Sequence, residues 1–449
     1  MNGIPQGDSM SPTLFCIYIN DFLNALRHEK SKIDPVLIGD SELSSVIYAD
    51  DILLMSRSQE GIKKQLETLQ RYCVENKLRI NYEKTKLMII NGKKTVNGHM
   101  RIFNEHGQKV IEVVDKFKYL GMWISANNSN KCHIENLAKS GKRSTYMTTK
   151  ALREFGQING NFLCESFETL TLSRMKYGGE LCFQDNLNSL NQIQSQFYKR
   201  FCYLKTTTPN YCLIGEFGIK PMEFHFYKAA LNYWLRLLTA DEKNLTKTLY
   251  NQIQGNITEK SYAKTWSTQI KKLLIDLKLE EIWERQAYID KSNYRKYKNI
   301  IVMRLTEHFR DMWIQSAKHS NKGIDYLELA KFSCERKKYL NFIMNDKSVI
   351  HMLKLRTGNH SLLVETKRYG DRKEYHERIC NLCKLGKVQD LYHVLQECPH
   401  FKELRGKHIQ FLRNINKYEL YTQLENLSRN QIKGITAFMQ IAENTVKLK

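Results

Sequence analysis

Two adjacent acids interrupt an otherwise apolar stretch, Val46-Ile47-Tyr48-Ala49-Asp50-Asp51-Ile52-Leu53-Leu54-Met55. β-Branched and aromatic residues favour extended chain, and a polar break between two such runs marks a turn. The stretch therefore predicts a β-hairpin with Asp50 and Asp51 at its tip. Paired carboxylates at a tight turn suit a hard divalent cation such as Mg²⁺, which takes carboxylate and phosphate oxygens. A plain Asp-Asp turn facing solvent has the same local sequence, so the neighbouring segments decide.

Upstream runs Gly3-Ile4-Pro5-Gln6-Gly7-Asp8-Ser9-Met10-Ser11-Pro12, followed by an amphipathic run from Thr13 to Leu26. Ser11 is suited to cap that helix and Pro12 to its first turn, where a missing N–H costs nothing. Downstream, Ser58 is placed to cap a second helix reaching about Lys77, with Ile62, Leu66, Leu69 and Cys73 at helical spacing. Then come Asn81-Tyr82-Glu83-Lys84-Thr85 and a short strand from Lys86 to Ile90, closed by Asn91-Gly92. Phe117-Lys118-Tyr119-Leu120-Gly121-Met122-Trp123-Ile124-Ser125 reads as another strand.

In this order the segments resemble the reverse transcriptases of non-LTR retrotransposons, the long interspersed element type. Gly3 to Asp8 looks like the family's motif B, Tyr48 to Asp51 like motif C, Asn81 to Thr85 like motif D, and Lys118 to Gly121 like the primer-grip strand. Further on, Thr208-Pro209-Asn210, Glu216-Phe217-Gly218-Ile219-Lys220-Pro221 and Tyr233-Trp234 resemble segments that follow the polymerase core. The likeness thins between roughly 240 and 350 and returns near residue 380.

The resemblance implies an RNA-directed DNA polymerase that copies element RNA onto a DNA primer from dNTPs. In-line attack of a primer hydroxyl uses two metals about 3.5–4 Å apart, held by carboxylates from different strands. Successive residues on one strand point to opposite faces, so Asp50 and Asp51 cannot address both metals alike. The family supplies a further aspartate from motif A, which precedes motif B and has no counterpart in this sequence: Asp8 belongs to motif B and Asp21 to the following helix. The expectation is a C-terminal part of such an enzyme, inactive by itself. By the same resemblance Gln6 and Gly7 shape the nucleotide site, Gly7 allowing close backbone approach and Gln6 offering a donor and an acceptor. Lys84 is the candidate to protonate or shield the leaving pyrophosphate, with Lys86 close enough to replace it.

Charge agrees with such partners. Lys plus Arg number 70 against 47 acids, a formal +23, which attracts phosphate backbones in a salt-dependent way. A generally basic surface would give the same total, but Lys139, Lys142, Arg143, Lys150 and Arg153 are concentrated on a predicted helix after the primer-grip strand. The family's thumb, which tracks the template–primer duplex, lies in this region. Stripes at Ile193, Phe197, Tyr198 and Phe201, and at Leu231, Trp234, Leu235 and Leu238, read as core. No apolar run approaches the roughly 18–20 residues that span a bilayer, and no signal-peptide pattern opens the chain. The protein is expected inside the cell, as a ribonucleoprotein of nucleus and cytoplasm.

Of 11 cysteines, eight are scattered between Cys16 and Cys334 without the pairing of a disulfide framework. The other three cluster as Cys380-x₂-Cys383-x₉-His393-x₄-Cys398, three thiolates and an imidazole, a closed tetrahedral set for structural Zn²⁺. His400 is a possible substitute. Three reduced cysteines that merely sit together are the alternative. The stretch His393 to Arg405 also resembles the C-terminal cysteine–histidine motif of many non-LTR elements.

The expected fold is α+β: a partial palm of antiparallel hairpins and helices over 1–128, a helical thumb-like region over 129–240, a helical region over 241–370, a zinc knuckle over 371–410 and a helical tail over 411–449. Two functions compete, the polymerase just described and a non-catalytic nucleic-acid-binding remnant using the basic helix and the knuckle.

Overall fold

Among the described residues the strands fall into four small sheets and helices carry most of the rest, so the fold is α+β. The computed structural model describes residues 8–38, 41–90, 99–104, 107–255, 265–344, 346–368 and 373–448. Two compact units emerge. The first is discontinuous, Met1–His133, Tyr233–Ile275 and Glu280–Tyr294; the second holds Ile134–Asn232, Asp276–Leu279 and Arg295–Lys449.

The first unit opens with α1 (Ser11–Ile19), α2 (Phe22–His28) and α3 (Lys30–Ile33). The expected single run is thus divided at Asn20-Asp21. Both are poor helix formers, and the chain tightens there through bonds from the Asn20 N–H to the Ile17 carbonyl and from the Leu23 N–H to the Asn20 carbonyl. Ser11 does not cap. Met10 takes that position, Pro12 sits in the first turn, and the Ser11 hydroxyl donates back to Asp8 at 3.5 Å.

Antiparallel β1 (Val36–Ile38) and β2 (Ser41–Leu43) precede β3 (Ser45–Tyr48) and β4 (Asp51–Leu54), which form the predicted hairpin. After it α4 runs Gln59–Glu75, capped by the Ser58 hydroxyl accepting from the Gly61 N–H at 3.1 Å. Its apolar face buries Leu66, Leu69 and Cys73, as the spacing demands. Leu69, Tyr72 and Cys73 join Phe22 and Leu26 of α2, and Ile47, Ile52 and Leu54 of the hairpin pack on that cluster. β5 is shorter than expected, only Lys86–Leu87, and lies parallel to β7 (Gly107–Val113), which pairs on its other side with β6 (His99–Asn104). Met100 and Ile111 from this sheet bury against Leu66.

A further prediction also needs correction. Phe117–Ser125 is not a single strand but a second hairpin, β8 (Lys116–Tyr119) and β9 (Met122–Ser125). Leu120 and Gly121 take φ of +46° and +83°, the left-handed pair that a two-residue turn between twisted strands needs. The later segments of this unit meet around Trp234, whose indole N–H donates to the Tyr250 hydroxyl at 2.9 Å, while Tyr250 donates to Gln286 at 2.7 Å.

The second unit is helical and takes in all but the first turn of α5 (Lys131–Phe155). The helix Asn188–Phe201 buries Ile193, Phe197, Tyr198 and Phe201, as predicted. At the end of Asn210–Phe217, Gly218 has φ +67°, and a Cβ there would meet the Arg336 nitrogen at 2.9 Å. Just before it, fully buried Glu216 accepts from Arg356 Nε at 2.9 and 3.1 Å, from the Tyr339 hydroxyl at 2.6 Å and from the Tyr326 hydroxyl at 3.0 Å. Among the described residues no helix is long and apolar enough to cross a membrane.

Candidate catalytic hairpin, basic helix and metal centre

The β3–β4 register pairs Ile47 with Ile52 and Tyr48 with Asp51, leaving Ala49 and Asp50 as the turn. Ile47 and Ile52 pack on the core, so by strand alternation Tyr48 and Asp51 share the other face. Both aspartates are exposed. Ala49 takes φ +52°, a left-handed conformation that costs about 1 kcal/mol for a residue with a Cβ. It closes the chain into a two-residue turn, with Asp50 in the turn and Asp51 at the head of β4.

The second hairpin feels this site. The Tyr119 hydroxyl is buried with no hydrogen-bond partner among the described residues. Burial first, and then the charge of Asp51, pushes its ionisation up. Lys118, Leu120 and Gly121 are exposed around it. Gln6 and Gly7 lie outside the described residues.

Asn81 to Thr85 closes on itself: Asn81 Oδ1 accepts the Lys84 N–H at 3.1 Å, and the Thr85 hydroxyl donates to the Asn81 carbonyl at 2.8 Å. The Lys84 side chain is exposed. Lys86, its possible replacement, is instead committed to Glu112 at 2.8 Å.

On α5 the burial pattern separates two faces. Ile134, Leu137, Ala138, Ser144, Thr148 and Leu152 are buried, whereas Lys139, Lys142, Arg143, Lys150 and Arg153 are all exposed. At 3.6 residues per turn the five cations fall within an arc of about 100°. None pairs with an acid among the described residues. The arc is legible in the sequence, as is an aromatic residue in its middle, Tyr146, which inspection of the charges alone passes over. Arg153 also reaches Tyr203, its guanidinium 5.7 Å from the ring centroid.

The cysteine–histidine set converges. The donor atoms of Cys380, Cys383, His393 and Cys398 all lie within 4.8 Å of one another. Two Sγ atoms, of Cys380 and Cys398, are 4.0 Å apart, and Cys383 Sγ is 3.4 Å from His393 Nε2. Tetrahedral ligands at Zn–S and Zn–N bond lengths stand about 3.5–3.8 Å apart, so the donor set fits such an ion. A bridge between Ile379 and Val388 closes the knuckle, with the Cys380 N–H donating to the Lys387 carbonyl at 2.8 Å. Spacing alone did not reveal the outer partners. His393 Nδ1 faces Glu397 at 3.3 Å, one helical turn on, and Glu397 is itself held by Lys387 at 2.6 Å. Such a carboxylate fixes the imidazole tautomer that presents Nε2 to a metal. Burial raises the Glu397 pKa, but hydrogen bonds from Lys387 and His393 outweigh it and hold the carboxylate ionised. His400 is exposed and stands outside the group. Among the described residues no other set of three or more His, Cys, Asp or Glu side chains converges this way.

Residues 1–124 match the family model for reverse transcriptase (RNA-dependent DNA polymerase). The chain is 26% identical over 172 residues to a "Retrovirus-related Pol polyprotein from type-1 retrotransposable element R2" of Nasonia vitripennis, covering 37% of this chain and 16% of that protein. A protein of the same description from Popillia japonica is 27% identical over 143 residues, 31% of this chain and 23% of the relative. The "RNA-directed DNA polymerase from mobile element jockey" of Drosophila melanogaster is 19% identical over 213 residues, 44% of this chain and 21% of that protein. The chain thus matches less than a quarter of the length of each of these relatives.

Proposed function

We propose that this chain, which belongs through its first 124 residues to the reverse transcriptases of non-LTR retrotransposons, works as part of an RNA-directed DNA polymerase. The observation that carries the reading is the hairpin that sets Asp50 in its turn and Asp51 at the head of β4, within the matched segment. In this reading Asp50 and Asp51 would hold Mg²⁺, which would supply positive charge for the nucleotide phosphates. The primer 3′-oxygen attacks the α-phosphorus, the bond to pyrophosphate breaks, and the hydroxyl proton leaves to solvent or base. Lys84 meets the departing pyrophosphate, Gln6 and Gly7 bound the nucleotide, and Lys118 to Gly121 support the primer strand. The cations of α5 hold the phosphates of the RNA template and DNA primer. Cys380, Cys383, His393 and Cys398 bind Zn²⁺ as a structural ion, supported by their donor geometry. The working particle is a ribonucleoprotein of cytoplasm and nucleus.

Two-metal transfer needs a further carboxylate beside the hairpin, so the test uses the product of the whole open reading frame. Primer extension on an RNA template should fall at least about 100-fold in Asp50→Ala, as expected when a metal ligand is lost, while RNA affinity stays within about twofold. Extension that survives Asp50→Ala removes the metal assignment. Wild-type protein that binds RNA but never extends a primer would select the binding-remnant reading instead.

A further inference from the structure

Tyr146 sits at the centre of the basic face of α5. Lys142 and Arg143 lie four and three positions before it, Lys150 four after, and Lys139 and Arg153 seven on either side. These are the spacings that place side chains on one helical face. The tyrosine is 70% exposed and has no ring or hydrogen-bond partner among the described residues. At the end of the stripe Arg153 reaches a second tyrosine, Tyr203, which remains 65% exposed while its ring meets the guanidinium. Tyr203 follows the helix Asn188–Phe201 with φ +54°. The face thus carries five unneutralised cations and two rings open to water along about 21 Å of helix.

Cations alone suffice to hold a duplex, whose base faces are hidden in its own stack. A ring among them gains most when bases are unpaired, because every base then offers a π-face while the phosphates still find the lysines and arginines. We propose that Tyr146 and Tyr203 make this face a single-strand-binding surface on which unpaired bases stack. The inference rests on the nucleic-acid partners assigned above. It differs from that reading in the strand it selects: unpaired template or displaced strand, in addition to paired template and primer.

Fluorescence anisotropy with the full chain separates the two. The probes are a short unstructured oligouridine and an RNA–DNA hybrid of the same length. Tyr146→Ala should weaken oligouridine binding by about 5- to 100-fold and hybrid binding by less than about twofold. Tyr203→Ala should follow the same pattern, and Tyr146→Phe, which keeps the ring, should bind like wild type. Lys150→Ala should weaken both probes and reduce the salt dependence by about one counterion. Equal losses on both probes in Tyr146→Ala, or no loss on oligouridine, overturn the stacking surface. So does a wild-type chain that binds the hybrid but not oligouridine, an outcome that leaves the polymerase reading standing. Binding to neither probe overturns both.

Discussion

Replacing Glu216 should cost the second unit most of its stability. The carboxylate is fully buried, accepts two bonds from Arg356 Nε at 2.9 and 3.1 Å, and accepts one each from Tyr339 and Tyr326 at 2.6 and 3.0 Å. Burial disfavours the Arg356 cation, but Glu216 and the tyrosines outweigh it and keep the guanidinium charged. Burial and then the Glu216 charge keep both tyrosines protonated, as donors. Glu216→Ala leaves a buried cation without a counterion, worth about 3–5 kcal/mol, and the Tyr339 hydroxyl without an acceptor, at about 1–3 kcal/mol, while the Tyr326 hydroxyl keeps the Cys212 carbonyl at 3.1 Å. Partial relaxation brings the expected loss to roughly 5 kcal/mol or more, against a folding margin of about 5–15 kcal/mol. Glu216→Gln keeps an acceptor and should cost about 3 kcal/mol. The double variant Glu216→Leu with Arg356→Met should recover to within about 3 kcal/mol of wild type, the Tyr339 hydroxyl alone remaining without its acceptor. A chain with two units need not unfold in one step, so the assay is native-state hydrogen exchange in the helices Asn210–Phe217 and Lys347–Arg356. At 1.4 kcal/mol per tenfold, protection there should drop by about 1,000-fold or more. A drop under about tenfold in Glu216→Ala would refute the reasoning.

Metal analysis of Cys383→Ser should find bound zinc reduced toward zero with hairpin exchange unchanged; undiminished zinc would exclude the ligand set. Two histidines, His360 buried and His225 half-buried, should make the second unit acid-sensitive. Burial first and then Lys176 and Lys228 push His225 down to about 4, while burial and then Lys322 push His360 down to about 3. Their folded pKa values lie below the ordinary 6.5, so the unfolded state binds the protons. Their contribution is therefore intact above about 6.5 and fades as pH falls toward 4, about 3 kcal/mol per histidine. Denaturant midpoints of His360→Gln should lose part of that slope, and an unchanged slope would count against it. Ser58→Ala should cost about 1 kcal/mol, read as faster exchange in the first turn of α4, and Ser58→Gly only a few tenths.

Local chemistry was readable and distant chemistry was not. The β3–β4 hairpin, the Ser58 cap and the four metal donors each rest on residues close in sequence, where β-branching, hydroxyl capping and ligand spacing act directly. The β8–β9 turn escaped because Leu120, an apolar residue in a run of apolar residues, takes a left-handed backbone without an Asn-Gly signal. Ser11 looked like a cap, yet the helix begins one residue earlier than that role requires. The Glu216–Arg356 pair joins positions 140 apart, and no periodicity links them. Tyr146 was within reach of a helical wheel, but only the observed exposure of its face separates it from a core tyrosine.

The unit that carries the two aspartates is not finished where the family match ends at residue 124. It takes in Tyr233–Ile275 and Glu280–Tyr294, including the helix Leu245–Gly255, from which Gln252 donates to Ser41, the first residue of β2, at 2.9 Å. During synthesis at about 5–20 residues per second, those pieces follow residue 133 by roughly 5–30 s. Through that interval the hairpin and its strands wait with part of their surroundings not yet synthesised. Translation speed across the intervening stretch, set by codon choice and by pauses, then becomes a determinant of how much of the chain reaches the native state.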